Sequence, residues 1–136
     1  FMLQKEVVER MVGTPSTSDY GRLSVMLQYR FDMESVFSVP AESFRPIPKV
    51  ESAIVRMTPR DESSRDAKDE TLFSQIVSSA FSQRRKTLRN TLHSYLALSD
   101  FNSLDIDPGL RAENLSVAQF VAISNFLTLS IKHKAT

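Results

Sequence analysis

Three prolines within nine residues, Pro40, Pro46 and Pro48, set the first limit on what this chain can fold into. Each ring fixes φ and removes a backbone N–H, and each biases the preceding residue toward extended geometry. Residues 40–50 are therefore excluded from the interior of a helix. Short extended runs lie on either side, Val36 to Val39 and Ser52 to Met57, the second closed by Pro59. Two such runs joined by a stiff connection predict an antiparallel pair.

Upstream, residues 1–4 are apolar enough to end a buried strand. Val7, Val8 and Met11 then repeat at helical spacing, and Gly13 with Pro15 ends the pattern. Leu23, Met26, Leu27 and Phe31 predict a second helix. Residues 61–70 carry five acidic and two basic side chains and almost no apolar ones. They read as a linker, which places the boundary between two parts at 61–69. From Thr71 the pattern is helical to the end. Leu72, Phe73, Ile76, Val77, Ala80, Phe81, Leu88, Leu92, Tyr95 and Leu96 are assigned to one apolar face. Asp107-Pro108-Gly109 predicts a turn. Ser116 and Gln119 are spaced for a capping box ahead of Val117, Phe120, Val121, Ser124, Leu127 and Ile131.

The net charge of +1 is uninformative, but its distribution is not. Four of the seven basic residues after position 70 fall in Arg84, Arg85, Lys86 and Arg89, and no acidic residue lies between Thr71 and Ser99. Read as a helix, Ser82, Arg85, Lys86 and Arg89 share one flank, beside a buried stripe of Phe81, Leu88 and Leu92. Arg84 falls on the opposite flank. A cationic ridge without carboxylate partners at helical spacing suits phosphate, since Arg offers a planar fork and Lys a mobile charge. The plainer alternative is a solvated face.

Phe44 sits in the stiff segment, flanked by Arg45 and Lys49, which are placed to hold RNA phosphates. A rigid loop presents a flat ring at low entropic cost, and a presented ring can stack on a nucleobase. A Phe plugging the core beneath the strand pair is the competing reading.

Five blocks carry a resemblance. They are Met2-Leu3-Gln4-Lys5-Glu6-Val7, Tyr20-Gly21-Arg22-Leu23-Ser24-Val25, Phe44-x-Pro46-x-Pro48-Lys49-Val50-x-Ser52-Ala53, Gln83 to Asn90, and Arg111-Ala112-Glu113-Asn114-Leu115-Ser116. In this order and spacing the chain resembles the KsgA family of S-adenosylmethionine-dependent 16S rRNA adenine N6,N6-dimethyltransferases. The resemblance implies an α/β-plus-α fold. Residues 1–60 would be the C-terminal remainder of a Rossmann-type methyltransferase sheet, with a late strand, two helices and an antiparallel hairpin. Residues 70–136 would be a small helical rRNA-binding domain. It implies a parent enzyme that dimethylates two adjacent adenines in the 3′-terminal hairpin of 16S rRNA. It gives Phe44 the role of lining the target-base pocket and makes Arg84, Arg85, Lys86 and Arg89 rRNA contacts. Arg22 matches a block residue and is either an RNA contact or a structural ion pair.

The family's glycine-rich cofactor loop and its Asn-Leu-Pro-Tyr motif are missing. Only Gly13, Gly21 and Gly109 are present, and none of the four asparagines begins that motif. The expectation is thus a piece of a longer protein. S-adenosylmethionine serves the parent, no cofactor is expected on this piece, and the piece alone is inactive. Two rival readings are a non-catalytic rRNA-binding module and a related 23S rRNA methylase.

Other chemistries are weaker. His93 and His133 are too few for a metal site. No apolar run is long enough to span a membrane. The absence of cysteine excludes disulfides and fits a cytoplasmic location. Glu6 and Glu9 read as an exposed helix face, and Asn114-Leu115-Ser116 as a helix cap.

Overall fold

The structure, a computed structural model, describes residues 1–135, without the side chains of residues 64 and 131–135. The expectations placed on Ile131 and His133 lie outside the described side chains. Two compact units divide the chain, Phe1–Arg65 and Asp66–Thr136. The division falls inside the acidic 61–69 stretch.

The first unit begins with strand β1 (Met2–Gln4) and helix α1 (Lys5–Met11), followed by α2 (Arg22–Arg30), β2 (Phe31–Val39) and β3 (Ser52–Pro59). The strands form one antiparallel sheet in the order β1-β3-β2. Register runs from Met2↔Ile54 to Gln4↔Ser52 on one side of β3, and from Phe31↔Pro59 to Val39↔Ser52 on the other. A bulge lies between Ser35 and Phe37. Val8 and Met11 of α1 bury against Ala53 and Val55 of β3, with Val7, Val12, Leu27, Met33 and Met57 packed around them. Full burial of one such side chain stabilises by about 1.5–3 kcal/mol.

Polar groups tie α1 to α2. The Ser24 hydroxyl donates to the Arg10 carbonyl and accepts from the Gly21 N–H at 3.1 Å. The Gln28 amide donates to the carbonyls of Met11, at 3.0 Å, and Gly13, at 2.8 Å. These bonds satisfy carbonyls that the end of α1 leaves without helical partners.

Two expectations for this unit need correction. β1 is exposed rather than buried, with Met2 at 53% and Leu3 at 38%. It is three residues long and hydrogen-bonded to β3 on one side only. β2 starts at Phe31, five residues before the extended run predicted at Val36. Asp32 and Glu34 hide it, because carboxylates are poor strand formers. Pairing with β3 overrides that preference, with Met33 turned to the core and Glu34 out toward Arg56.

The second unit contains α3 (Glu70–Ala80), α4 (Leu88–Thr91), α5 (Leu98–Leu104) and α6 (Val117–Ala135). The Asp69 carboxylate caps α3 by accepting from Leu72 N–H at 3.0 Å. Phe73, Ile76, Val77 and Ala80 of α3 are buried, as are Leu88, Leu92, Leu115, Phe120 and Ile123. The box at Ser116 closes as predicted. Its hydroxyl accepts from Gln119 N–H at 3.2 Å, and the Gln119 side chain accepts from Ser116 N–H at 2.9 Å.

The continuous basic helix does not form. α3 ends at Ala80, residues 81–87 are turns, and α4 is a single short helix. The cause is both local and tertiary. The Ser82 hydroxyl takes the Ser79 carbonyl at 2.6 Å, competing with helical continuation. Phe81 turns onto Phe120, with ring centroids 5.7 Å apart. Leu88 is fully buried just beyond the turn.

Candidate nucleic-acid interface

The Phe44 loop leaves one end of the sheet. Gln4, Val39 and Ser52 are register partners there, so the loop, which runs from the carboxyl end of β2 to the start of β3, lies beside the carboxyl end of β1. The segment opens with a one-turn 3₁₀ helix, Ala41–Ser43. Phe44 follows it, half-buried, and is not among the residues of the core cluster under the sheet. Beyond it Ile47 is 58% exposed. The far end is latched to the β1–α1 junction. Lys5 N–H donates to the Glu51 carbonyl at 2.9 Å, and Lys5 Nζ meets Glu51 Oε2 at 3.3 Å. The sequence reading missed this latch, because a Lys and a Glu 46 positions apart give no local signal.

The two cations of this loop differ. Arg45 turns its guanidinium onto the loop itself, Nη1 donating to the carbonyls of Glu42 at 2.9 Å and Phe44 at 3.0 Å. Lys49 is exposed and has no ion pair among the described residues.

Arg22 is the first residue of α2 and is exposed. Among the described residues it has no carboxylate partner. A cation in the first turn of a helix opposes the helix dipole, at a cost of about 0.3–1 kcal/mol.

In the second unit Arg84, Arg85 and Lys86 are exposed together on the turn between α3 and α4, and Arg89 follows on α4. The flank assignment that set Arg84 apart from the others no longer applies, because there is no helix to define flanks. Among the described residues no carboxylate pairs with Arg85, Lys86 or Arg89. The turn is anchored behind. Leu88 N–H donates to the Leu110 carbonyl at 2.8 Å, and Arg89 N–H to Pro108 at 3.0 Å. Gly109 N–H in turn bonds the Asp107 carboxylate at 2.8 Å. The contact also places Arg111 next in the chain to the anchor, about half-exposed and 4.0 Å from Glu113. Arg111 lies in one of the resemblance blocks, where nothing local in the sequence marks it as a site residue. Only the tertiary contact links it to the turn.

The chain was compared with known proteins. A sequence model described as ribosomal RNA adenine dimethylase matches residues 1–129.

The chain belongs to the ribosomal RNA adenine dimethylase family.

It is 64% identical over 126 residues to a "Ribosomal RNA small subunit methyltransferase A" of Nitrosospira multiformis, covering 93% of this chain and 49% of that protein. A protein of the same name from Nitrosomonas europaea is 66% identical over 123 residues, covering 90% and 48%. The chain thus spans about half the length of these relatives. A solved dimethyladenosine transferase from Plasmodium falciparum superposes with a TM-score of 0.80 at 26% identity, covering 94% of this chain and 56% of that one.

The residues present do not fit the family's methyl donor. No glycine in the described structure has positive φ. Among the described residues, no group of three metal-ligating side chains occurs, and no helix is long and apolar enough to cross a membrane.

Proposed function

We propose that this chain is the RNA-holding part of an enzyme that uses S-adenosylmethionine to dimethylate N6 of two adjacent adenines in the 3′-terminal hairpin of 16S rRNA. Residues 1–60 complete its methyltransferase domain, 61–69 link, and 70–136 bind rRNA. The methyl donor is held by residues outside this chain. The observation that carries the reading is the family match over residues 1–129, joined to relatives named for the small subunit.

The roles follow from chemistry. The adenine amino group is a poor nucleophile, because its lone pair is delocalised into the ring, so its orientation decides the rate. Phe44 stacks on the target base, an interaction worth about 1–3 kcal/mol. Arg84, Arg85, Lys86 and Arg89 hold phosphates on one lobe, and Lys49 and Arg22 hold them on the other unit. Arg22 stands at a helix N-terminus, where the dipole disfavours a cation and a bound phosphate would offset that cost. The work is done in the cytoplasm, where small subunits mature.

A non-catalytic rRNA clamp is the second reading, favoured by the exposed cations of residues 84–89, which can hold phosphate without any methyl-transfer chemistry. One experiment separates the two. The full-length protein is incubated with labelled methyl donor and unmodified small subunits, and the modified positions are mapped. Dimethylation at two adjacent adenines in 16S rRNA is expected. Binding without transfer supports the clamp, and modification confined to 23S rRNA refutes the small-subunit assignment.

A further inference from the structure

Resting on the reading of Phe44 as the base-stacking ring, we propose that Arg45 is a positioning residue, which braces the backbone carrying that ring and does not contact phosphate.

The geometry divides the two cations of the loop. Arg45 Nη1 donates to the carbonyls of Glu42 at 2.9 Å and Phe44 at 3.0 Å. The Phe44 N–H itself donates to Ala41 at 3.2 Å, and Ser43 N–H to Pro40 at 3.1 Å. Both backbone polar groups of Phe44 are therefore bound within the loop, the carbonyl by a permanently charged donor. Hydrogen bonds from a charged donor are shorter and stronger than neutral ones, so this brace resists rotation about the Phe44 backbone. Nη1 gives both of its N–H donors to these carbonyls, so a phosphate fork that uses Nη1 would have to pull the guanidinium off its own loop and leave both carbonyls to solvent. Lys49 faces no such conflict. Lysine reproduces the brace only in part, because its strongly hydrated ammonium rides on a flexible stem and lacks the rigid plane that aims both N–H groups of Nη1.

The brace matters for catalysis through the ring alone. A reacting group misplaced by about 1 Å can cost roughly a hundredfold in rate. Loss of a phosphate contact would instead weaken affinity and flatten its salt dependence.

The test uses Arg45→Ala and Arg45→Lys in the full-length protein, with kcat, KM and the salt dependence of rRNA affinity measured for each. Arg45→Ala should lower kcat by about tenfold or more, with the slope of log affinity against log salt unchanged. Arg45→Lys should recover only part of the loss. A slope shallower by about one, whatever happens to kcat, overturns the proposal, and so does an unchanged kcat. Amide exchange at Phe44 in the 136-residue chain gives an independent readout. Arg45→Ala should speed it while the melting temperature holds, and unchanged exchange counts against the brace. If the wild-type protein binds rRNA and transfers no methyl, the catalytic reading fails, and amide exchange still decides whether the brace exists.

Discussion

Leu88 N–H donates a 2.8 Å hydrogen bond to the carbonyl of Leu110 across 22 positions, and the side chain of Leu88 is fully buried behind it. This pair turns a run of charges into a presented surface. The chain on one side of Leu88 is free to expose Arg84, Arg85 and Lys86 because Leu88 itself is fixed. Leu88→Ala should destabilise the second unit by about 2–5 kcal/mol, the usual range for a buried leucine. A urea titration followed by probes in Asp66–Thr136 measures it, and a loss below about 1 kcal/mol would mean the site collapses without cost.

Gly13 is the tightest backbone approach in the first unit. A Cβ there would stand 3.1 Å from the Asp19 carbonyl carbon and oxygen and from Tyr20 N. All three neighbours are main chain and cannot swing aside. Gly13→Ala should cost about 1–3 kcal/mol, read as a lower urea midpoint at constant m-value. No change would show that the 14–19 loop shifts freely.

Tyr20 gives the first unit a signature in alkali. Burial pushes its hydroxyl from 10.0 up to about 12. Below pH 10 both folded and unfolded chains keep the proton. Between pH 10 and about 12 the unfolded chain releases it and the folded chain holds it, so stability falls as pH rises. The full contribution is on the order of 2–3 kcal/mol. Urea midpoints across this window should fall more steeply for the wild type than for Tyr20→Phe. Parallel curves would contradict the assignment.

Phe44 offers a choice between two outcomes. It is half-buried, and the core formed by Val8, Met11, Ala53 and Val55 does not include it. In the full-length protein Phe44→Ala should lower methylation of 16S rRNA by at least tenfold, the equivalent of about 1.4 kcal/mol of lost stacking. It should leave the melting temperature nearly unchanged. A large fall in melting temperature would return Phe44 to a structural role.

The features legible in the sequence share a local cause. The antiparallel pair of β2 and β3 follows from extended runs around Pro40, Pro46 and Pro48, and the box at Ser116 and Gln119 from two residues three apart. Helix α1 follows from Val7, Val8 and Met11. The failures have tertiary causes. Helical periodicity extends through Gln83–Asn90, yet the chain turns there, because Leu88 meets Leu110 and Phe81 meets Phe120. The extent of β2 was hidden by Asp32 and Glu34. In the candidate site the residue types were readable and their partners were not. Arg45 looks like any loop cation until its guanidinium is found on the Glu42 and Phe44 carbonyls.

The claim that the anchored turn grips RNA is tested most directly by the salt dependence of binding. The 136-residue chain and its Arg85→Ala/Lys86→Ala/Arg89→Ala variant are titrated with the 3′-terminal hairpin of 16S rRNA over a range of salt. Each lost phosphate contact should flatten the slope of log affinity against log salt by about 0.7–0.9, so the triple variant should be shallower by roughly two to three. An unchanged slope, with the variant still folded, would contradict the account.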